Sequence, residues 1–157
     1  MKINELKQRY VELFSNEGVD TQTLVNIQKR LDVLFPIDFI EIAKFYSGGI
    51  LGGISHFSIA MTGPADNIVN ETIRLRSSTG LPSRYVVIAE PPESLIVLDT
   101  FANGGPSVIW LDSTDIGNIK KGNSLSSPTL WKTYSEFFEY LINEEIGENE
   151  IGGYVSK

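Results

Sequence analysis

The sequence predicts a single α+β domain in which N-terminal helices and a C-terminal helix pack on a central, mostly antiparallel β-sheet. Three observations predict this fold. Apolar residues recur at helical spacing in the first 46 residues and again near the C-terminus. Between these regions, three β-rich runs follow one another at intervals of about ten residues and are bounded by turn residues. The chain of 157 residues contains no low-complexity linker, so we expect one core.

The first two helices are predicted by stripes of apolar residues at three- and four-residue spacing. Residues 3–14 form the first amphipathic stripe, and Gly18 closes it. Asp20 offers an N-cap side chain for the second helix. That helix must stop before Pro36, because proline has no backbone N–H and displaces the preceding residue from the α region.

Pro36 also begins the third predicted helix, residues 37–46, since proline is well tolerated at the first position of a helix. Gly48 and Gly49 end this helix. Glycine adopts the left-handed conformation that often closes a helix, so we expect at least one of the two to have positive φ.

The predicted sheet occupies the middle of the chain. Residues 57–60 are predicted as a short strand, and Asp66 as the cap of a helix over residues 66–77. The antiparallel meander then follows, with strands predicted at residues 85–89, 94–100 and 107–112.

The last predicted helix covers residues 130–146, where apolar side chains form a strong helical face. Gly147 should stop this helix. We therefore expect one domain over residues 1–146 and an acidic, flexible tail over residues 147–157.

Composition excludes several classes of protein. Without cysteine the chain has no disulfide and no thiolate metal site, which is typical of a cytoplasmic protein. The N-terminus lacks the apolar run of a signal peptide, and no segment approaches the roughly 20 apolar residues of a membrane helix. The net charge of −7 repels phosphate backbones. We therefore expect neither membrane insertion nor direct nucleic-acid binding.

The sequence contains no recognisable catalytic set. His56 is the only histidine, so a two-histidine metal site cannot form, and a Ser-His-acid triad would have to use this one ring. Residues 48–53 hold two glycine pairs but lack the lysine and the following helix that a phosphate loop needs. We expect no enzyme, no metal and no cofactor. A hydrolase working through His56 is the remote alternative.

Two further features are predicted to be structural. Asp112 and Asp115 begin a segment similar to a calcium loop, but Ile116 occupies a ligand position, so this segment is predicted as a turn after a strand. Trp110 is flanked by apolar residues and is predicted to lie in the core.

Several short motifs, taken in order, are similar to a known family. They are Leu34-Phe35-Pro36-Ile37-Asp38-Phe39, Phe45-Tyr46, Ser47-Gly48-Gly49, Leu95-Ile96-Val97-Leu98-Asp99, Val108-Ile109-Trp110 and Thr133-Tyr134-Ser135-Glu136-Phe137-Phe138-Glu139-Tyr140-Leu141. Over about residues 20–145 the chain resembles the SUKH superfamily, and within it the Smi/Knr-like branch. Phe35 and Ser47 depart from the family pattern.

This resemblance implies an α+β fold and a role in binding another protein. Bacterial members are commonly immunity or antitoxin proteins that bind and block polymorphic toxins, often nucleases, whereas fungal members regulate the cell wall and signalling. A regulatory or scaffold protein without a toxin partner is therefore the alternative. The resemblance also implies that the matching motif residues maintain the fold: Pro36, Asp38, Gly48, Gly49, Asp99, Trp110 and Phe137.

The placement of charge predicts where a basic toxin domain would bind. Acidic residues gather in two places. The first group lies in turns and at strand ends: Glu90, Glu93, Asp112 and Asp115. The second begins at Glu136 and Glu139 on the last helix. We predict that the first group makes the contact, because loops held on a rigid sheet are better preorganised for recognition than a tail.

Overall fold

The computed structural model describes residues 2–60 and 66–155, with side chains described through residue 147. Helices and strands alternate irregularly along this part of the chain. The helices are α1 (Ile3–Leu13), α2 (Thr21–Leu31), α3 (Ile37–Ala43), α4 (Ile68–Thr79), α5 (Ile116–Lys121) and α6 (Tyr134–Val155). The strands are β1 (Gly49–Leu51), β2 (Ile54–His56), β3 (Tyr85–Ala89), β4 (Ser94–Asp99), β5 (Val108–Asp112) and β6 (Thr129–Trp131).

The strands form one sheet in the order β1-β2-β3-β4-β5-β6, and every neighbouring pair is antiparallel. Each strand therefore lies beside the one before it in the chain, as a meander requires. This arrangement confirms the predicted α+β fold with a central antiparallel sheet.

Both faces of the sheet are covered, which explains why its central strands are continuous apolar runs. On one face, residues such as Val86, Ile96 and Leu98 belong to the main core, which also contains buried residues of α1, α2, α3 and α6. On the other face, Val97 and Leu111 pack in a second cluster together with residues of α4 and α5.

The helix ends follow the local chemistry of their caps. The side chain of Asp20 accepts a hydrogen bond from the Thr23 N–H at 2.7 Å, as predicted for the start of α2. The cap of α4 is Asn67, which accepts from the Asn70 N–H at 2.8 Å, so the prediction that Asp66 caps this helix is wrong by one residue. Both residue types are good caps, and the backbone position decides between them.

The glycine-rich segment after α3 forms a hairpin. The third helix ends at Ala43, so the prediction that Gly48 and Gly49 end it is wrong. Both glycines have the predicted positive φ, at 101° and 100°, but they lead into β1 instead of closing the helix. The strands of the hairpin are β1 and β2, and they turn through Gly52 and Gly53. The strand predicted at residues 57–60 is therefore misplaced, because this turn puts the strand on the residues directly after it.

The C-terminal third also differs from the prediction. Residues 129–131 form β6, which pairs with β5, where a helix was predicted to begin at residue 130. The segment after Asp112 is not a simple turn, since it contains a 3-10 turn and then α5. The last helix continues past Gly147 to Val155, so the predicted stop at this glycine is wrong. A helical glycine costs only about 1 kcal/mol, which does not force an end. That residues 147–157 form a flexible tail stays a prediction.

In the residues that the structure describes, none of the helices combines the length and the apolar composition that crossing a bilayer requires.

Candidate functional site

The fold brings three of the predicted acidic residues to one end of the sheet. Glu90 and Glu93 lie on the turn between β3 and β4, and Asp112 ends β5. Ser94 pairs with Asp112 in the sheet, and the Ser113 N–H donates to the Glu93 carbonyl at 3.0 Å. Glu93 and Asp112 are thus on adjacent strand ends. We call Glu90, Glu93 and Asp112 the acidic strand-end surface.

Asp112 is exposed and held in place. Its Oδ1 accepts hydrogen bonds from the Thr114 N–H at 2.9 Å and the Thr114 hydroxyl at 2.8 Å. These bonds favour the charged carboxylate and lower the pKa of Asp112. The side chain therefore presents a fixed negative charge at neutral pH.

Glu90 is partly neutralised by a neighbour. Arg74 on α4 donates to Glu90 at 2.9 Å and to Glu71 at 3.0 Å. The side chains of Arg74 and Glu90 are 46% and 40% exposed, so solvent weakens this ion pair and a partner can displace it. Glu90 contributes less free charge to the acidic strand-end surface than Asp112 does.

Asp115 does not belong to this surface. Only 2% of the residue is exposed, and its carboxylate accepts from the Asn118 amide at 2.9 Å and from the Ser126 N–H at 2.8 Å. The prediction that Asp115 contacts a partner is therefore wrong, because a buried carboxylate satisfied by internal donors offers nothing to a docking protein. Its observed contacts fasten the loop before β6 to the start of α5.

An open pocket of about 370 Å³ adjoins Asp112. Trp110 forms part of its wall. Its side chain is half-buried and packs against the main core, so the predicted core packing is only partial. The indole Nε1–H donates to the Ser94 hydroxyl at 2.9 Å. The other lining residues are Leu111, Asp112, Ser126, Ser127 and Thr129. We call this the Trp110 pocket.

His56 lies in the core. It is 7% exposed, its Nδ1 lies 3.3 Å from the Gly49 carbonyl oxygen, and its ring packs edge-on to Tyr46 and Phe137. Burial lowers the pKa of His56 to about 4. Among the described residues no serine or carboxylate bonds to the ring, and its Nε2 has no hydrogen-bond partner. A catalytic triad through His56 therefore finds no support in this geometry.

The acidic and histidine side chains also form no metal centre in the described ranges, since no three of them come together in a way that could hold an ion.

Two motif aspartates form structural bonds. Asp38 lies in the first turn of α3, and its Oδ2 accepts from the N–H and the hydroxyl of Ser135, each at 2.8 Å, at the start of α6. Asp99 is 5% exposed and forms a two-pronged ion pair with Arg84, at 2.9 and 2.7 Å. Each aspartate fixes one part of the fold to another.

The remaining motif residues are packed or shape the backbone. Phe137 is fully buried in the main core, and Pro36 directly precedes α3. A Cβ on Gly48 would lie 2.5 Å from the Phe57 carbonyl oxygen, whereas nothing lies within 4 Å of the same position on Gly49.

The sequence reasoning missed an apolar groove on another part of the surface. Leu34 is 80% exposed and Phe101 is 72% exposed, and both line a groove of about 410 Å³ together with Arg84. The guanidinium of Arg84 lies 5.8 Å from the centre of the Phe101 ring. An apolar side chain that stays exposed on a loop has the same sequence signature as a buried one, so no pattern could have revealed this groove.

The model of the SUKH_5 family, described as SMI1-KNR4 cell-wall, matches residues 1–143. The chain belongs to the SUKH_5 family. The match confirms the resemblance inferred from the motifs, and it extends further toward the N-terminus, so that α1 is part of the SUKH_5 domain. Among curated proteins, no relative matches the chain.

Proposed function

We propose that this SUKH_5 domain is a non-catalytic immunity protein that acts in the cytoplasm by binding and neutralising a basic toxin domain. Family membership supports an immunity or Smi/Knr-type role. That the partner is a toxin domain, and that it binds through acidic residues, are the parts of the proposal that go beyond family membership.

The observation that carries the proposal is the acidic strand-end surface. Glu93 and Asp112 stand on adjacent strand ends. The carboxylate of Asp112 is held by its bonds to Thr114, so this charge needs no ordering when a partner arrives. The chain as a whole carries a net charge of −7. Such a surface accelerates encounter with a positively charged protein and repels nucleic acid.

A regulatory or scaffold protein without a toxin is the second candidate. The exposed apolar side chains of Leu34 and Phe101 favour it, because exposed apolar surface next to a groove is typical of protein-binding sites that do not depend on charge.

The neighbouring genes provide the test. The genes on either side of the one that encodes this chain are searched for a basic toxin domain. That toxin domain is expressed in bacteria alone and together with the SUKH_5 domain, and growth is measured. We expect the toxin domain alone to arrest growth and the wild-type pair to grow normally. Arrest that persists at equal expression of both proteins would contradict the immunity proposal, and a neighbourhood without any toxin gene would favour the regulatory candidate.

The binding surface is tested by reversing charge. The variant E90K/E93K/D112K should slow association with the toxin domain by about tenfold at low salt and weaken the dependence of the on-rate on ionic strength. The control variant is E136K/E139K on α6, which reverses two acids there, the exposed Glu136 and the half-buried Glu139. Stopped-flow kinetics at two salt concentrations measures both. If only the control variant slows association, the interface lies on α6 instead.

A further inference from the structure

The Trp110 pocket has properties that the acidic residues alone would not give. Its lining brings together the half-buried Trp110 with Asp112, Ser126 and Thr129. Trp110 and Asp112 are two positions apart on β5, so their side chains lie on the same face of the sheet. An aromatic surface and a carboxylate in one concave site are the two groups that recognise an organic cation.

The walls of the pocket are fixed before any ligand binds. The indole of Trp110 is anchored by its bond to Ser94, and Trp110 pairs with Thr129 across β5 and β6. The loop that carries Ser126, another lining residue, is anchored by the buried carboxylate of Asp115, which accepts from the Ser126 N–H. Asp115 is therefore a positioning residue for this pocket, although it does not touch what binds there.

One carboxylate oxygen of Asp112 remains available. Its Oδ1 is used by Thr114, whereas no donor among the described residues bonds to Oδ2. Glu93 lies on the neighbouring strand end and adds a second negative charge. A cation that enters the pocket thus meets a free acceptor and a favourable potential.

We infer that the Trp110 pocket binds an arginine side chain of the partner protein. A planar guanidinium stacks on an indole and donates to a carboxylate at the same time, which the compact ammonium of lysine does less well. Anionic ligands are repelled by Asp112 and Glu93. The inference rests on the proposed function, in that it names the group by which a basic partner is recognised.

The test uses N-acetyl-arginine-N′-methylamide as the probe and the full chain as the receptor. The chain holds two tryptophans, so its nitrogen–proton correlation NMR spectrum contains two indole signals, one each from Trp110 and Trp131. The W110F variant assigns them. The probe is titrated at constant ionic strength, with the corresponding lysine and glycine amides as comparison ligands.

We expect the Trp110 signal to shift in a saturable way, with a dissociation constant on the order of 1–10 mM, as a ligand of this size allows. D112N should raise the dissociation constant about threefold or more, because it removes the negative charge. The asparagine oxygen can still accept the hydrogen bonds from Thr114, so the local structure should be kept. The control E5Q changes charge equally at an exposed position on α1 and should bind as the wild type does.

The inference is overturned by a Trp110 signal that does not saturate, by equal binding of the lysine amide, or by an unchanged dissociation constant in D112N. A dispersed spectrum with an intact Trp131 signal shows that D112N is folded. These outcomes are separate from the growth assay: protection against a toxin without arginine binding would refute the pocket alone, and arginine binding without protection would refute the immunity function alone.

Discussion

Replacing Asp38 by alanine should destabilise the protein more than its half-buried position suggests. The carboxylate connects the first turn of α3 to the first turn of α6, which lie 97 residues apart in the chain. It accepts the Ser135 N–H, one of the amide groups at the start of α6 that has no partner within the helix. It also accepts the Ser135 hydroxyl and, through Oδ1, the Phe39 N–H at 2.8 Å.

The expected cost follows from these bonds. Loss of a helix-capping acceptor costs about 1 kcal/mol, and loss of the hydroxyl bond to an ionised group costs about 1–2 kcal/mol more. We therefore expect D38A to lower the free energy of unfolding by about 2–3 kcal/mol and Tm by about 5–10 °C. D38N keeps an acceptor but loses the charge, and should cost about half as much.

Urea denaturation followed by circular dichroism measures these changes. The control is E41A on the same helix, where an exposed ion pair with Lys44 is worth less than about 0.5 kcal/mol. In a double-mutant cycle, D38A and S135A should be non-additive by about 1 kcal/mol, because both remove the same bond. Additive effects, or a D38A variant as stable as E41A, would refute the idea that Asp38 links the two helices.

Two further predictions concern the hairpin region. Because burial lowers the pKa of His56 to about 4, from an unfolded value near 6.5, the unfolded chain binds more protons than the folded chain between these pH values. The contribution of His56 to the free energy of unfolding should therefore fall by about 2–3 kcal/mol from pH 7 to pH 4.5, and H56F should lose this part of the pH dependence in urea titrations. If the pH dependence of H56F is unchanged, His56 is not buried in its neutral form. In thermal denaturation, G48A should lower the free energy of unfolding by at least about 3 kcal/mol and G49A by only about 1–2 kcal/mol. Both variants place a side chain at a positive φ, but only at position 48 would the new Cβ lie 2.5 Å from a carbonyl oxygen. Equal losses would show that the strained φ, and not this contact, explains the need for glycine.

The sequence by itself determined the fold class, the family and most of the helices. Apolar periodicity placed α1 and α2, because a helix that packs on one side must repeat its apolar residues every three or four positions. The runs that became β3, β4 and β5 were found because strands buried on both faces are apolar throughout. The positive φ of Gly48 and Gly49 also followed from residue type alone.

Elements whose identity depends on a distant partner were missed. β6 has only three residues, which is too short for its apolar pattern to distinguish a strand from the start of a helix. These residues form a strand because they pair with β5. The helix start therefore moves to Tyr134, where Thr133 accepts the Glu136 N–H at 3.1 Å and Asp38 accepts that of Ser135.

The acidic strand-end surface also depends partly on the sequence and partly on the tertiary structure. Sequence identified Glu93 and Asp112 as acids near strand ends, but only the pairing of β4 with β5 makes them neighbours. Asp115 has the same local signature as Asp112, yet it is buried because Asn118 and Ser126 fold back onto its carboxylate. Whether a carboxylate faces solvent or serves as an internal acceptor depends on the donors that the tertiary structure brings to it, and those donors have no fixed place in the sequence.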